Sequence, residues 1–380
     1  MGLCGCHKAS PVLHNTKQFH EEYIPTGTVR EIVLPSGDTV YLDEANGTYF
    51  LGDIIFSQEQ IATLSTADTK GAVLTSPIQR WSGTIWYYIK PGFTSSTVAA
   101  IHSGINMVSS AVLSIKFLES STPISSYGIV FQPSTNTNNS PYGRTSLNTI
   151  NIVYNELTPG VVAHEILHSL GYFHEQSRTD RDSYVTINSS NIMPGKEHNF
   201  KTFSQLGYSA TNVAPYDYSS IMHYGSWDFS IDGVSPTIVK TTGATFYSQR
   251  THLTTNDLKA LDRYYGVILS PERQFCGEDR NETFTSLDLT TWYANCIVFR
   301  DVDGNTAPLP FDATIRITLH TYQMDPEHPN GFTNDDSFIV NVSAGSSFYN
   351  NLVMTKDIIR ESYGTTTYLH EETFFAERIN

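Results

Sequence analysis

The chain has 380 residues, which is room for two domains and a leader rather than for one domain. Apolar residues are 39% and charged residues 16%, so packed cores are expected. A formal net charge of −15 argues against a nucleic-acid partner, which needs clustered Lys and Arg. No run of about eighteen apolar residues is present to span a membrane.

Met1 to Ser10 contains no apolar stretch of the signal-peptide kind, so a signal is expected to have been removed from this sequence. Leu3-Cys4-Gly5-Cys6 resembles the tail of a bacterial lipoprotein signal, with Cys6 the candidate anchor. A secreted or cell-surface protein is the reading that follows, and an intracellular one its rival. Residues 1–71 read as a leader, with turns at Pro35-Ser36-Gly37-Asp38 and Asn46-Gly47 and a short strand at Thr39 to Leu42. Its apolar residues keep no period, so it is expected to lean on another domain.

From Trp81 the pattern sharpens. Thr84 to Ile89 reads as a strand. Val98, Ile101, Ile105, Val108 and Val112 then form a helical stripe behind the caps Thr94 and Ser95. Ile115 to Phe117, Gly128 to Phe131 and Thr149 to Val153 read as strands, with Pro133 to Tyr142 a polar loop between the last two. Thr158-Pro159 starts a second helix that stops at Gly171, and a third spans about Thr255 to Tyr265. Ser270-Pro271 reads as a linker, and residues 271–380 as a small antiparallel β domain of the sandwich kind.

The chemistry is concentrated in His164-Glu165-Ile166-Leu167-His168-Ser169-Leu170-Gly171-Tyr172-Phe173-His174. His164 and His168, four apart on a helix, present both rings on one face and suit a single Zn²⁺. Gly171 permits a positive φ that turns His174 back to the same ion. Three neutral nitrogens leave a position open, which marks a catalytic rather than a structural zinc. Glu165, beside the first ligand, is placed to act as general base and then acid in hydrolysis of an amide. The bland alternative is a set of satisfied core residues, which the added glycine and third histidine disfavour.

The string from His164 to His174 resembles the metzincin signature. Its continuation, Glu175-Gln176-Ser177-Arg178-Thr179-Asp180-Arg181-Asp182, and the later Ser220-Ile221-Met222-His223-Tyr224 resemble the astacin family, over roughly residues 72–266. The resemblance implies an α+β fold: a two-lobed zinc protease domain at 72–266, an inhibitory pro-segment at 1–71 and a C-terminal all-β domain at 271–380. It implies one zinc per chain on His164, His168 and His174. Tyr224 becomes a further ligand that swings away to support the oxyanion, and Met222 an apolar floor. Glu175 becomes the partner of a new amino terminus. Protein or peptide substrates would lie extended along an edge strand. Phe50-Leu51-Gly52-Asp53 resembles the latency motif of astacin pro-segments, making Asp53 a zinc ligand in the latent form, with a thiolate from Cys4 or Cys6 as the rival. A cut by a trypsin-like protease at Lys70-Gly71 would activate the chain, which is expected to be a monomer. Acidic specificity in the family raises Lys240 and Arg250 as basic-pocket candidates.

Residues 72–266 lack the cysteines usual in the family, which puts the rigidity of the cleft walls in question. Cys276 and Cys296 read equally as a disulfide or as two thiols. Asp301, Asp303 and Asn305 form a string that suits Ca²⁺ or a simple turn. The competing function is a zinc-binding adhesion or interaction protein without turnover, and the intact Glu165 argues against it.

Overall fold

The computed structural model describes residues 27–33, 39–66, 80–153, 157–206, 212–280, 289–324, 330–349, 355–359 and 369–379. Cys4, Cys6, Lys70 and Gly71 lie outside the described residues. The N-terminal part of the chain holds β1 (Thr28–Val33), β2 (Thr39–Ala45), β3 (Thr48–Leu51), β4 (Ile54–Phe56) and α1 (Gln58–Thr66). Asn46 and Gly47 both take positive φ, 53° and 76°, and close the β2–β3 hairpin as an Asn-Gly pair favours.

The central region runs β5 (Gly83–Ile89), α2 (Ser95–Ser109), β6 (Ile115–Glu119), β7 (Gly128–Ser134), β8 (Ser140–Pro141), β9 (Asn148–Val153) and α3 (Pro159–Ser169). The sheet order is β6-β5-β7-β9, and every pairing along it is parallel. The expected polar loop at 133–142 thus contains β8 and the end of β7. Both helices start where their caps predict. Thr94 Oγ1 accepts from the Thr97 N–H at 3.2 Å, and Thr158 Oγ1 from the Val161 N–H at 3.3 Å with Pro159 next in line. Ile101, Ile105 and Val108 of α2 pack with Val162, Ile166 and Leu170 of the α3 segment and with Ile85, Ile129 and Ile150 of the sheet. Each fully buried aliphatic side chain of this kind contributes about 1.5–3 kcal/mol.

The following stretch is mostly short 3₁₀ turns, with one small antiparallel pair, β10 (Val185–Ile187) and β11 (Ile238–Lys240). It ends in α4 (Thr255–Tyr265), opened by a capping box between Thr254 and Asp257.

Residues 40–61 supply six of the ten buried side chains of a second core. Val40, Leu42, Leu51, Ile54, Phe56 and Ile61 pack against Tyr142, Phe173, Phe203 and Leu206. Strand β4 adds to β8 in parallel, Ile54 opposite Ser140 and Ile55 opposite Pro141. The apolar residues of 40–61 thus pack against another region of the chain.

Beyond Tyr265 the chain forms β12 (Ile268–Arg280), β13 (Leu289–Arg300), β14 (Ala313–Met324), β15 (Phe332–Val342), β16 (Phe348–Tyr349), β17 (Thr355–Ile359) and β18 (Leu369–Arg378). The region is strand-rich and antiparallel as expected, and hydrogen bonding joins its strands into one sheet. One expectation is corrected here. Ser270-Pro271 is not a linker: it lies inside β12, with Pro271 opposite Ile297, because β12 is an edge strand where a missing N–H is tolerated. Of the two readings left open for Cys276 and Cys296, the strand register argues against the disulfide. Cys296 stands opposite Glu272, four positions from Cys276. Four strand residues span about 13 Å, whereas a disulfide needs Cα atoms within about 7 Å.

The C-terminal sheet is tied to the central region by polar contacts. Arg378 Nη1 pairs with Asp262 of α4 at 2.7 Å, both side chains 7% exposed, and Lys116 of β6 pairs with Asp303 at 2.9 Å.

Candidate metal centre

His164, Glu165 and His168 lie on α3, each no more than 1% exposed. Gly171 follows with φ +94°, and its N–H bonds back to the His168 carbonyl at 2.9 Å. This left-handed turn, easy only for glycine, brings the chain round so that His174 re-enters the interior at 2% exposed.

Four ligand atoms meet. The Nε2 atoms of His164 and His168 are 3.1 Å apart. Asp53 of the β3–β4 turn places Oδ2 3.0 Å from His164 Nε2, and Oδ1 3.4 Å from His168 Nε2 and 3.1 Å from His174 Nε2. Among the described residues, this is the one cluster of three or more His, Cys, Asp or Glu side chains with ligand atoms all within 4.8 Å.

The donor set fits zinc. Tetrahedral ligands at 2.0–2.1 Å from one ion stand about 3.3 Å apart, close to the spacings above. His164 Nδ1 is 2.8 Å from the Ile221 carbonyl and His168 Nδ1 is 2.7 Å from the Tyr172 carbonyl. A carbonyl only accepts, so each Nδ1 carries the proton and each Nε2 offers its lone pair inward. His174 Nε2 and Asp53 Oδ1 are buried without a hydrogen-bond partner, a costly state that a shared cation relieves.

Burial dominates the electrostatics of His168 and His174. It pushes the His174 pKa down to about 4, outweighing the attraction of Asp53, and lowers His168 in the same direction. Burial alone would raise Asp53, but the imidazoles of His174 and His168 outweigh it and hold the carboxyl well below its usual range. A depressed histidine pKa keeps the ring neutral in acid, so metal is expected to stay bound between the ordinary value of about 6.5 and about 4 and to leave below that. Zinc content after dialysis across this range checks the point. Loss with a midpoint near 6.5 would contradict it.

The turn bearing Met222 and Tyr224 is fixed at nearly every backbone group. Asp257 Oδ1 accepts from Ser220 Oγ at 2.6 Å, and its Oδ2 from the Ile221 N–H at 3.0 Å. The Met222 carbonyl accepts from the Glu175 N–H at 2.9 Å. Gln176 Oε1 takes the Tyr224 N–H at 3.2 Å, and His223 Nδ1 lies 2.7 Å from the Tyr224 carbonyl. Met222 sits in the main core. Tyr224 is fully buried, its ring 4.5 Å from that of His174 and its hydroxyl without a hydrogen-bond partner. Burial, with Asp53 nearby, pushes its pKa well above 10, so the phenol keeps its proton.

Sequence reading misses Asp257 and Gln176. The helix start at Thr254 is legible from residue type, but nothing in it announces that Asp257, which closes the capping box, also bonds to a distant turn.

Glu175 is anchored nearby. Its Oε1 accepts from Arg178 Nη1 at 3.0 Å and from the Asp217 N–H at 2.9 Å, and burial raises its pKa to about 7. It borders a cavity of about 150 Å³ whose walls include Arg80, Tyr142, Leu170, Asp217 and Tyr265.

Other candidates are engaged elsewhere. Arg250 is 3% exposed and donates to the carbonyls of His223 and Gln249 at 3.3 and 2.9 Å. Lys240 Nζ lies 4.3 Å over the Tyr218 ring. In the Asp301 loop, Asp301 accepts from the N–H groups of Asp303 and Asn305 at 3.0 and 2.8 Å, while Asp303 pairs with Lys116. That is the pattern of a self-capped turn.

Residues 73–266 match the family model described as Astacin, a peptidase family. Flavastacin from Elizabethkingia meningoseptica is 33% identical over 280 residues, 69% of this chain and 60% of flavastacin. Meprin A subunit alpha from Rattus norvegicus is 45% identical over 107 residues, 28% of this chain and 14% of the meprin subunit. The chain therefore spans less than two thirds of the length of these relatives. High choriolytic enzyme 1, a hatching enzyme zinc-protease from Oryzias latipes, superposes with a TM-score of 0.42 at 30% identity, over 49% of this chain and 90% of its own.

Proposed function

The chain belongs to the astacin family of peptidases, and on that footing we propose that it is a zinc endopeptidase held latent by its own leader. One observation carries the reading: three histidine nitrogens and the Asp53 carboxylate from the leader converge on one buried point. In this reading residues 1–71 are the inhibitory leader, 72–266 the protease and 271–380 an accessory β region. His164, His168 and His174 hold the metal throughout, and Asp53 holds it only while the chain is uncut.

Zinc there supplies Lewis-acid polarisation of the scissile carbonyl and acidifies a water molecule. The rest is the work of side chains. Glu165 takes the proton of the attacking water and passes it to the leaving amine. Tyr224, protonated and unpartnered at its hydroxyl, donates to the oxyanion. Tyr224→Phe is expected to lower kcat about 10²-fold with folding unchanged. Steady-state rates and thermal melting of the cut variant check this, and an unchanged kcat removes Tyr224 from the mechanism.

Latency has two supports besides Asp53. The leader uses the hydrogen-bonding edge of β8, with the Ser140 N–H on the Asp53 carbonyl at 3.0 Å and the Tyr142 N–H on the Ile55 carbonyl at 2.9 Å. A substrate strand needs such an edge. Gly52 lets the leader cross Tyr224: its φ is +64°, and a Cβ there would meet the Tyr224 hydroxyl at 2.5 Å. Gly52→Ala is expected to raise the activity of the uncut chain about tenfold, since roughly 1.4 kcal/mol of lost leader affinity suffices. After cutting, variant and wild type should be equal. An unchanged uncut rate would show that the leader tolerates the clash.

A cut at Lys70-Gly71 by a trypsin-like protease would free a new amino terminus, and Glu175 beside its cavity suits an ammonium partner. Latency of this kind suits a secreted or cell-surface protease, acting on protein or peptide substrates. No helix among the described residues is long and apolar enough to cross a membrane.

The reading is tested by mass spectrometry of casein fragments after activation. Internal cleavages that vanish with a zinc chelator support it. Terminal trimming alone, or cleavage indifferent to chelator, would overturn it.

A further inference from the structure

A second carboxylate of the leader is buried apart from the metal cluster. Asp43, on β2, has a side chain only 2% exposed. Its Oδ2 accepts from Lys196 Nζ at 2.8 Å and lies 3.2 Å from His198 Nε2. Lys196 and His198 flank the start of the 3₁₀ turn Glu197–Phe200, and their side chains are 9% and 3% exposed. Asp43 Oδ1 is buried with no hydrogen-bond partner. Lysine is almost never this buried without a counter-charge. Here the counter-charge comes from 153 residues away in the chain.

Apolar packing surrounds the pair: Val40 and Leu42 are fully buried beside Asp43, in the core shared with Phe203 and Leu206. Lys201 Nζ adds a contact 4.5 Å over the ring of Tyr41. Burial alone would raise the Asp43 pKa, but the bonds from His198 and Lys196 outweigh it and hold the carboxyl ionised.

We propose that Lys196 and His198 form a second carboxylate-binding pocket of the catalytic region, filled in the uncut chain by Asp43, which anchors the leader independently of Asp53. The inference rests on the reading of the leader as inhibitory. Asp43 and Asp53 are ten positions apart in sequence, on either side of the β2–β3 hairpin turn. When one lets go, the other, with the β4–β8 pairing, keeps the leader at high effective concentration beside the metal cluster. Asp53→Ala alone therefore leaves the leader competing with substrate, which reads as a raised KM.

The experiment compares four uncut chains: wild type, Asp53→Ala, Asp43→Asn and the double variant. Asp43→Asn keeps the shape and removes the charge. Uncut Asp53→Ala should hydrolyse casein with a KM above that of the cut enzyme. The double variant should lower that KM about tenfold or more, as loss of a buried ion pair predicts. Amide hydrogen exchange in residues 39–51 should speed up with Asp43→Asn whether or not the protein is active. All four should be equal once cut and freed of leader, which controls for misfolding. If both KM and exchange are unchanged by Asp43→Asn, the second anchor does not exist. If exchange responds but the cut enzyme hydrolyses nothing, the anchor stands and the protease reading falls.

Discussion

Replacing Glu165 by Gln is expected to leave a folded, zinc-loaded protein whose kcat after cutting falls by about 10²–10⁴-fold, the usual range for a general acid–base group. The argument starts from position. Glu165 follows the first histidine of the cluster on α3 and is 1% exposed. Taking a carboxyl out of water at that point is costly. It is not one of the four converging ligands, so its removal should not empty the site. Gln keeps the size and loses the base. Zinc content, thermal melting and kcat on casein separate the outcomes. Retained zinc with lost turnover assigns the role, whereas near-normal turnover with zinc in place removes it.

Asp53→Ala should have the opposite sign in the uncut chain. Wild type before cutting is expected to be inactive, because Asp53 lies within 3.4 Å of all three histidine nitrogens and, in the proposed reading, would fill the position a water needs. Without the carboxylate that position opens, and casein hydrolysis should rise at least about tenfold above the uncut wild type. The leader still occupies β8 and still packs Leu42, Ile54 and Phe56 against the protease region, so the rise should fall short of the cut enzyme. Initial rates on the uncut variant decide it. Full latency would mean that Asp53 is not the switch, and the thiols of Cys4 and Cys6 become the next candidates.

Much of the site is legible in the sequence because its geometry is local. The helix from Pro159, its cap at Thr158 and the reversal at Gly171 follow from spacing and residue type, and they bring His164, His168 and His174 together. Asp53 is legible only through resemblance, since no local rule brings a turn residue 111 positions away to His164. The Asp43 contact with Lys196 and His198 is not legible at all, for three ordinary polar residues carry no mark of burial until the chain folds around them. The linker at Ser270-Pro271 fails for a related reason. Proline signals a break locally, but a strand at the sheet edge accepts it, and edge position is a property of the whole sheet. The cysteine question likewise turns on register, which places Cys296 opposite Glu272 rather than Cys276.

The most direct measurement is casein hydrolysis by the zinc-loaded chain before and after a brief trypsin cut, with the trypsin then inhibited. The account predicts negligible activity before the cut, strong activity after it, and loss of that activity on adding a zinc chelator. Equal activity before and after would contradict a leader held on the metal. A cut, zinc-loaded protein that hydrolyses nothing would contradict the protease reading and favour a binding role for the same site.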